Sequence, residues 1–479
     1  MFTNNLTNLI LNADSYKTSH YLQYPPNSEY VSSYVEARRG DYPVVFFGLQ
    51  AFVKEYLITP ITQKDIDDAQ AVIVAHGLPF NRDGWQRLLD KHQGRLPLRI
   101  QAAAEGSIIP TGNVLCQVVN TDPEFYWLTT YIETALLRAL WYPTTVASVS
   151  HYCKGIIKSA LAKSADSLDS LPFRLHDFGS RGASSLETVA LGSLAHLVNF
   201  SGTDSLTALV AATRWYGMND EMAGFSIPAA EHSTMTAWGR DGEPAAFANM
   251  IERFGGEGKA FSVVSDSYDL WNAIDNIWGD ELKDKVENMG GTLVIRPDSG
   301  EPAKVVREAL ERLAAKFGSK TNSKGYKQLP DHIRLIQGDG INPHSISKIL
   351  DAIMDAGFST ENVTFGMGGG LLQQVNRDTL GFAMKASSIC IDGKWHDVYK
   401  DPITSHSKRS KKGRLALINT DGTNDGNLAN HDVCHIRTIR EDELANDTNH
   451  KNNLLQDVFI NGKLLIDDNL TVIRERAGW

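Results

Sequence analysis

Apolar and polar positions alternate with two different rhythms along the chain. In "TLVIRPDSGEPAKVVREALERLAAKF" an apolar block is followed by a polar turn and then by apolar residues at helical spacing. "IRLIQGDGINPHSISKILDAIMDAG" and "NVTFGMGGGLLQQVNRDTL" repeat that order. Strand, turn, helix in succession predicts βα units of a parallel sheet or barrel. Functional side chains in such folds gather in the loops after the strands. Those loops carry Arg296, Asp298, Ser299 and Gly300, then Gly338, Asp339 and Gly340, then Gly366, Gly368, Gly369 and Gly370.

Earlier in the chain the pattern differs. "LPLRIQAAAEGSIIPTGNVLCQVVN" reads as short strands separated by Gly and Pro turns. Residues 124–163 have helical apolar spacing, and Pro143 is expected to break that helix and mark a boundary. The pattern divides the chain into an N-terminal α/β region over 1–145, a βα region over 146–395 and a C-terminal segment over 396–479. The last contains the basic loop "KDPITSHSKRSKKGR" and a hairpin-like "DVFINGKLLIDD".

With 479 residues the chain exceeds one ordinary core. A formal net charge of -10 gives no electrostatic case for nucleic acid or an anionic membrane. Anionic ligands must be met by local basic clusters. Cys116, Cys153, Cys390 and Cys434 form no CxxC, which favours a reducing, cytoplasmic setting over a disulfide framework. The N-terminal residues lack a basic leader and an apolar run of signal-peptide type, and no stretch reaches the ~18 apolar residues that span a membrane.

Several short motifs could carry chemistry. In "FGMGGGLLQ", glycines between strand and helix could let backbone N–H groups cradle an anion, or form a tight structural turn. The spacing is neither GxGxxG nor GxxxxGK[ST]. "RPDSG" and "QGDG" place aspartates at strand ends, where they could serve ribose or Mg²⁺, or simply turn the chain. "HDFGSRG" puts Phe178 three residues before Arg181, suited to a planar ring beside a phosphate, or to a loop with one buried aromatic. Lys400, Lys408, Arg409, Lys411, Lys412, Arg414, Arg38 and Arg39 could hold a polyphosphate or form a solvated face. In "AEHSTMTAW", His232 follows Glu231, and sequence neighbours do not share a face, so spacing leaves this histidine undecided. The set favours a ligand with a planar ring, a ribose and phosphates.

"NADSYKTSHYLQYPPN", "LHDFGSRGASSLETVALGSLAHLVNFSGTDS", "PAAEHSTMTAWG", "SVVSDSYDLWN", "VIRPDSGEP", "IQGDGIN", "FGMGGGLLQ" and "KDPITSHSKRSKKGR" together resemble the nicotinamide phosphoribosyltransferase family, from about residue 8 to near the C-terminus. The resemblance implies an α/β fold: an irregular TIM-like α/β barrel with a second α/β domain built from both chain ends. It implies a homodimer with shared active sites that joins nicotinamide to phosphoribosyl pyrophosphate with Mg²⁺. Nicotinamide mononucleotide and pyrophosphate are the products, and ATP hydrolysis assists through a phosphohistidine. His232 occupies the matching histidine motif.

By the same resemblance, Phe178 and the partner subunit's Tyr16 sandwich the base, Asp204 accepts from its amide, and Arg296 lies beside ring and carboxamide. Asp298 and Asp339 lie near ribose, pyrophosphate and metal, which they hold indirectly. Arg181, Gly338, Gly368, Gly369, Arg377 and Lys385 hold phosphate. Arg38, Lys400 and Lys408 take pyrophosphate or ATP, and Asp266 and Glu231 support His232. An ionised Asp204 would repel the carboxylate of nicotinate, a like-charge penalty of several kcal/mol, or on the order of a hundred-fold in selectivity. Ala383 stands where the family often has a serine, which removes one hydrogen bond to phosphate. A nicotinate-specific enzyme, or a binding protein on the same fold, is the alternative.

Overall fold

A computed structural model describes residues 3–404, 409–420, 435–446 and 453–479. The chain divides into two compact units. The first comprises Met1–Ser148, Ala212–Met218 and Asn376–Trp479, and the second Val149–Ala211 and Asn219–Val375.

The first unit is built on a seven-stranded antiparallel sheet. Its order is Lys394–Asp397, Phe382–Ile391, Ser28–Ala37, Val114–Asn120, Leu98–Ala102, Gln456–Ile460 and Lys463–Leu464. Three strands from the N-terminal part lie at its centre, flanked on each side by two strands from the C-terminal part, so neither end could form this sheet alone. This is the second α/β domain that the resemblance implies. The C-terminal hairpin turns on Asn461 and Gly462, both at positive φ, the conformation a two-residue Asn-Gly turn requires. Tyr34, Val35, Phe46, Trp85, Ile100, Val118, Phe382 and Phe459 are buried in one apolar core.

The second unit holds a six-stranded parallel sheet ordered Gly202–Thr203, Leu175–Asp177, Val363–Met367, Ile333–Gln337, Thr292–Arg296 and Ala260–Val264. The extended segment 225–230 is hydrogen-bonded to both edges. Phe225 N donates to Ser201 O and Thr203 N to Phe225 O on one side. Ser262 N donates to Pro228 O and Ala230 N to Ser262 O on the other. The segment thereby closes the sheet into an irregular barrel.

Two of the three predicted βα helices form as expected, Pro302–Phe317 and Pro343–Asp355. Both begin with Pro after an acidic or amide cap: Glu301 accepts from Lys304 N, and Asn342 from His344 N and Ser345 N. The third is cut to one turn, Gly369–Leu372, because consecutive glycines are poor helix formers.

Pro143 does not break its helix. Glu133–Ser164 runs 32 residues with Pro143 inside it. Tertiary bonds hold the neighbouring turn: Thr144 Oγ1 donates to Phe47 O, and Val45 N donates to Ser148 Oγ. Gly48, at φ 107, makes room for the proline ring, since a Cβ there would lie 2.4 Å from Pro143 Cγ. Among the described residues no helix is long and apolar enough to cross a membrane.

Candidate active site

The C-terminal ends of the barrel strands carry the site. His176 pairs with Gly202 across the first two strands, and Asp204 lies two residues beyond Gly202. Phe178 follows Asp177 and is pinned by its N–H to Met367 O at 3.0 Å. Its ring fits because the strand beneath it is bare. A Cβ on Gly366 would lie 2.0 Å from Phe178 Cε2, and one on Gly338 3.3 Å away. The guanidinium of Arg296 sits 5.6 Å from the Phe178 ring centre, and Asp298 fixes it through a 2.8 Å ion pair. A planar slot with a cation at its edge results.

Asp177 and Asp204, close in space, behave differently. Asp177 is fully buried and its oxygens accept from Gly179 N, Thr203 Oγ1 and Ser205 Oγ, each at 2.8 Å. It is a structural knot. Asp204 is half exposed and accepts from His176 Nε2 at 3.0 Å and Ser226 Oγ at 2.7 Å. Burial pulls the Asp204 carboxyl upward, but the His176 and Ser226 bonds and the Arg296 charge outweigh it and hold it below the usual carboxylate range.

A second cluster surrounds His232, at the start of the short helix His232–Thr236. His232 Nε2 meets Asp266 Oδ1 at 3.0 Å, and Nδ1 lies 3.9 Å from Asp298 Oδ2. The other Asp266 oxygen accepts from Asp298 N at 3.0 Å and Ser299 Oγ at 2.5 Å. Glu231 caps the helix and accepts from Ser233 Oγ, so its carboxylate serves the turn and Asp266 serves the imidazole.

The turns of "RPDSG" and "QGDG" close on Gly300 and Gly340, at φ 91 and 65, a region open to glycine. Asp339 is exposed above its strand end. Arg181 is exposed in the turn Ser180–Gly182, and Gly182 of that turn packs near Gly369. The helix after Gly368 has a single turn, so an anion there would rely on individual N–H groups more than on a helix dipole.

In the first unit, Arg38 and Lys411 both pair with the buried Glu36, and Lys17 pairs with Glu133. Burial lowers the Lys385 ammonium from its ordinary value, as do the Arg38, Lys17 and Arg377 charges, against Glu133. Arg377 is exposed, with a 3.4 Å contact to Asp378. Lys400 N donates to Ser410 Oγ at 2.8 Å, which closes the base of the basic loop. Tyr16 is exposed, edge-on to His20. Lys408 lies outside the described residues, as does Cys434.

Within the second unit the structure brings together Phe178, Arg296, Asp204, Asp298, Asp266 and His232. Within the first it groups Arg38, Arg377 and Lys385 in one electrostatic neighbourhood. Sequence reasoning did not single out His176, Ser226 or Glu36, and it placed Gly366 among the loop glycines without its part in seating Phe178. The acid in "SEYVSSYVEARRG", on a strand that otherwise buries its side chains, was the one available signal for Glu36.

Comparison with known proteins gives the family. Residues 173–463 match the "Nicotinate phosphoribosyltransferase (NAPRTase) family", and residues 8–100 the "Nicotinamide phosphoribosyltransferase, N-terminal domain". A nicotinamide phosphoribosyltransferase of Xanthomonas campestris pv. campestris is 48% identical over 474 residues, covering 98% of both chains. One from Acinetobacter baylyi is 32% identical over 97% of this chain and 96% of its own. In fold, the chain is similar to the nicotinate-nucleotide pyrophosphorylase of Pyrococcus furiosus, with TM-score 0.61, 16% identity and coverage of 100% of this chain and 96% of that one. Human nicotinic acid phosphoribosyltransferase matches with TM-score 0.57 and 18% identity over 97% of this chain and 92% of that one. Barrel, strand-end site and kinship agree, and the chain belongs to the nicotinamide phosphoribosyltransferases within the nicotinate phosphoribosyltransferase family.

Proposed function

We propose that the chain transfers the phosphoribosyl group of phosphoribosyl pyrophosphate to nicotinamide, releasing nicotinamide mononucleotide and pyrophosphate. One observation carries the choice of base: Asp204, held as an anion, stands beside the slot formed by Phe178 and Arg296. A carboxamide N–H can donate to that carboxylate, whereas the carboxylate of nicotinate has no proton to share and meets a like charge.

Displacement at the anomeric carbon builds positive charge on the ribose as the C–O bond to pyrophosphate breaks and the ring nitrogen bonds to carbon. Such a reaction asks for positioning and for neutralisation of the leaving group rather than for a nucleophilic side chain. Phe178 and Arg296 fix the ring. Asp298 and Asp339 lie at strand ends suited to the ribose and pyrophosphate. Arg181 and the N–H groups of Gly338, Gly368 and Gly369 offer a phosphate site.

Among the described residues no three His, Cys, Asp or Glu side chains form a metal cage. Single carboxylates such as Asp298 and Asp339 fit Mg²⁺ held mainly by substrate phosphates, where it would neutralise pyrophosphate charge.

ATP is the co-substrate in this reading. With Nε2–H donated to Asp266, His232 carries its lone pair on Nδ1. That nitrogen attacks the γ-phosphorus, the bond to the β-phosphate oxygen breaks, and ADP leaves. Asp266 balances the charge gained by the ring. Arg38, Lys400 and Lys408 supply the cations for pyrophosphate and nucleotide, and Arg377 and Lys385 of the partner subunit supply those for the ribose phosphate. The active unit is a homodimer in which the partner's Tyr16 covers the base. Leu186, Leu206 and Val210, strongly exposed apolar side chains, suit self-association.

Product formation from phosphoribosyl pyrophosphate and Mg²⁺, with nicotinamide or nicotinate, each with and without ATP, tests the reaction. Nicotinamide mononucleotide made from nicotinamide and accelerated by ATP is expected, and preference for nicotinate overturns it. Mixing His232→Ala and Tyr16→Ala subunits tests sharing: hybrids should regain activity, and no recovery counts against a shared site.

A further inference from the structure

We propose that His176 and Ser226 are positioning residues for the base. Together they grip Asp204 by one oxygen so that the other is presented to the ring carboxamide, and they thereby set part of the discrimination between amide and acid. The proposal rests on nicotinamide being the base. Both donors converge on Oδ1, from His176 Nε2 at 3.0 Å and Ser226 Oγ at 2.7 Å. Among the described residues no hydrogen bond is formed to Oδ2. Two donors on one oxygen define the rotation of the carboxylate, and the second oxygen of this half-exposed side chain stays unshared. Asp204 N also donates to Asp177 O at 3.0 Å, so its backbone is tied to the buried knot of the neighbouring strand.

The seat of the imidazole is built into the strand register. His176 lies opposite Gly202, and a Cβ on Gly202 would come 2.4 Å from His176 Nδ1. The ring therefore crosses bare backbone to reach Asp204 two residues further on. It lies 5.4 Å from the Phe178 ring, so the group that orients the acid also borders the group that stacks the base. Ser226 arrives from segment 225–230, bonded to both barrel edges, which places its hydroxyl with strand-like rigidity.

The chemical type of the donors matters as much as their geometry. A hydroxyl satisfies one carboxylate oxygen without adding charge, and an imidazole N–H donates to it without the fixed charge of an ammonium or guanidinium. A lysine or arginine in either place would pair with Asp204 and remove the repulsion that rejects an acid.

The experiment compares wild type with His176→Leu, His176→Gln and Ser226→Ala, taking KM and kcat for nicotinamide, nicotinate and phosphoribosyl pyrophosphate separately. Loss of the imidazole donor in His176→Leu should raise the nicotinamide KM about tenfold and lower the amide-to-acid ratio of kcat/KM about tenfold. The phosphoribosyl pyrophosphate KM should stay within about twofold, because the proposal assigns Asp204 to the base alone. His176→Gln keeps an N–H at similar reach and should restore most of both values. Ser226→Ala should shift the ratio the same way, about threefold. A merely structural His176 would move all three substrates together and would not be rescued by Gln, and either result overturns the proposal. If His176→Leu does not fold, the His176→Gln and Ser226→Ala ratios decide: a preserved ratio in the first with a reduced ratio in the second supports the proposal, and any other pairing overturns it. A wild-type chain that prefers nicotinate would overturn the reaction itself before any variant was compared. A wild type that uses nicotinamide with unchanged ratios in the variants overturns this proposal alone.

Discussion

Two histidine–aspartate pairs stand at the mouth of the same barrel, and they are near mirror images in burial. Each has Nε2 and Oδ1 3.0 Å apart. In one, Asp266 is 4% exposed and His232 46%; in the other, His176 is 13% exposed and Asp204 45%. In each pair the buried member is enclosed by the fold and the exposed member reaches the surface. Asp266 has both oxygens occupied by the chain, so it holds an imidazole that is free to react. His176 lies against bare backbone, so it holds a carboxylate that is free to accept. In the proposed function an identical contact thus serves opposite ends of the chemistry, and burial decides which.

The largest effect should come from removing the presented acid. Asp204→Ala should cut kcat/KM for nicotinamide by about a hundredfold or more, with and without ATP, and Asp204→Asn should lose less while admitting nicotinate. Steady-state assays with both bases check this. Next comes the presented imidazole. Asp266→Asn should lower only the ATP-stimulated rate, by about tenfold, along with the acid-labile phosphate retained on the chain, while the ATP-independent rate persists. If both pairs affected both rates equally, the division of labour would fail. Gly366→Ala sharpens the comparison from the stacking side. The added methyl must displace Phe178, so the nicotinamide KM should rise several-fold, by about fivefold, with the phosphate substrate little affected.

The smallest effect is on stability. His196 is buried, with Nδ1 bonded to Ser150 and Nε2 to Leu175 O, and burial pushes its pKa down to about 4 against the nearby Asp177 charge. The unfolded chain takes up that proton near pH 6.5 while the fold resists until about 4. Stability from this group is therefore complete above pH 6.5 and declines between pH 6.5 and 4. Urea midpoints measured across that window should fall as pH falls, and His196→Asn should flatten the trend.

Much of this was legible in the chain itself. The strand–turn–helix rhythm located Asp298 and Asp339 at strand ends, and the long shared motifs identified Phe178, Asp204 and His232. What stayed hidden depends on close approach between strands. Gly366 and Gly202 matter because of the rings that cross them, and which ring crosses which glycine is fixed by sheet register, which one sequence does not display. Ser226 lies in a stretch with no periodicity, and it is bonding to both barrel edges that makes it strand-like. Pro143 misled because a proline argues locally against helix, whereas Gly48 makes room for its ring and the Thr144 and Ser148 hydroxyls tie the helix to the backbone of Phe47 and Val45.

Segment 225–230 has a further consequence as a ruler. Ser226 touches the base-recognition acid, Ala230 is bonded to the opposite barrel edge, and Glu231 and His232 follow at once. Extended chain advances at most about 3.3–3.6 Å per residue, so the distance along the strand from Ser226 to His232 is set by a residue count. One residue added or removed here would shift Ser226 or His232 out of place and turn the intervening side chains to the other face. This stretch should therefore tolerate exchange of side chains more readily than any change in length.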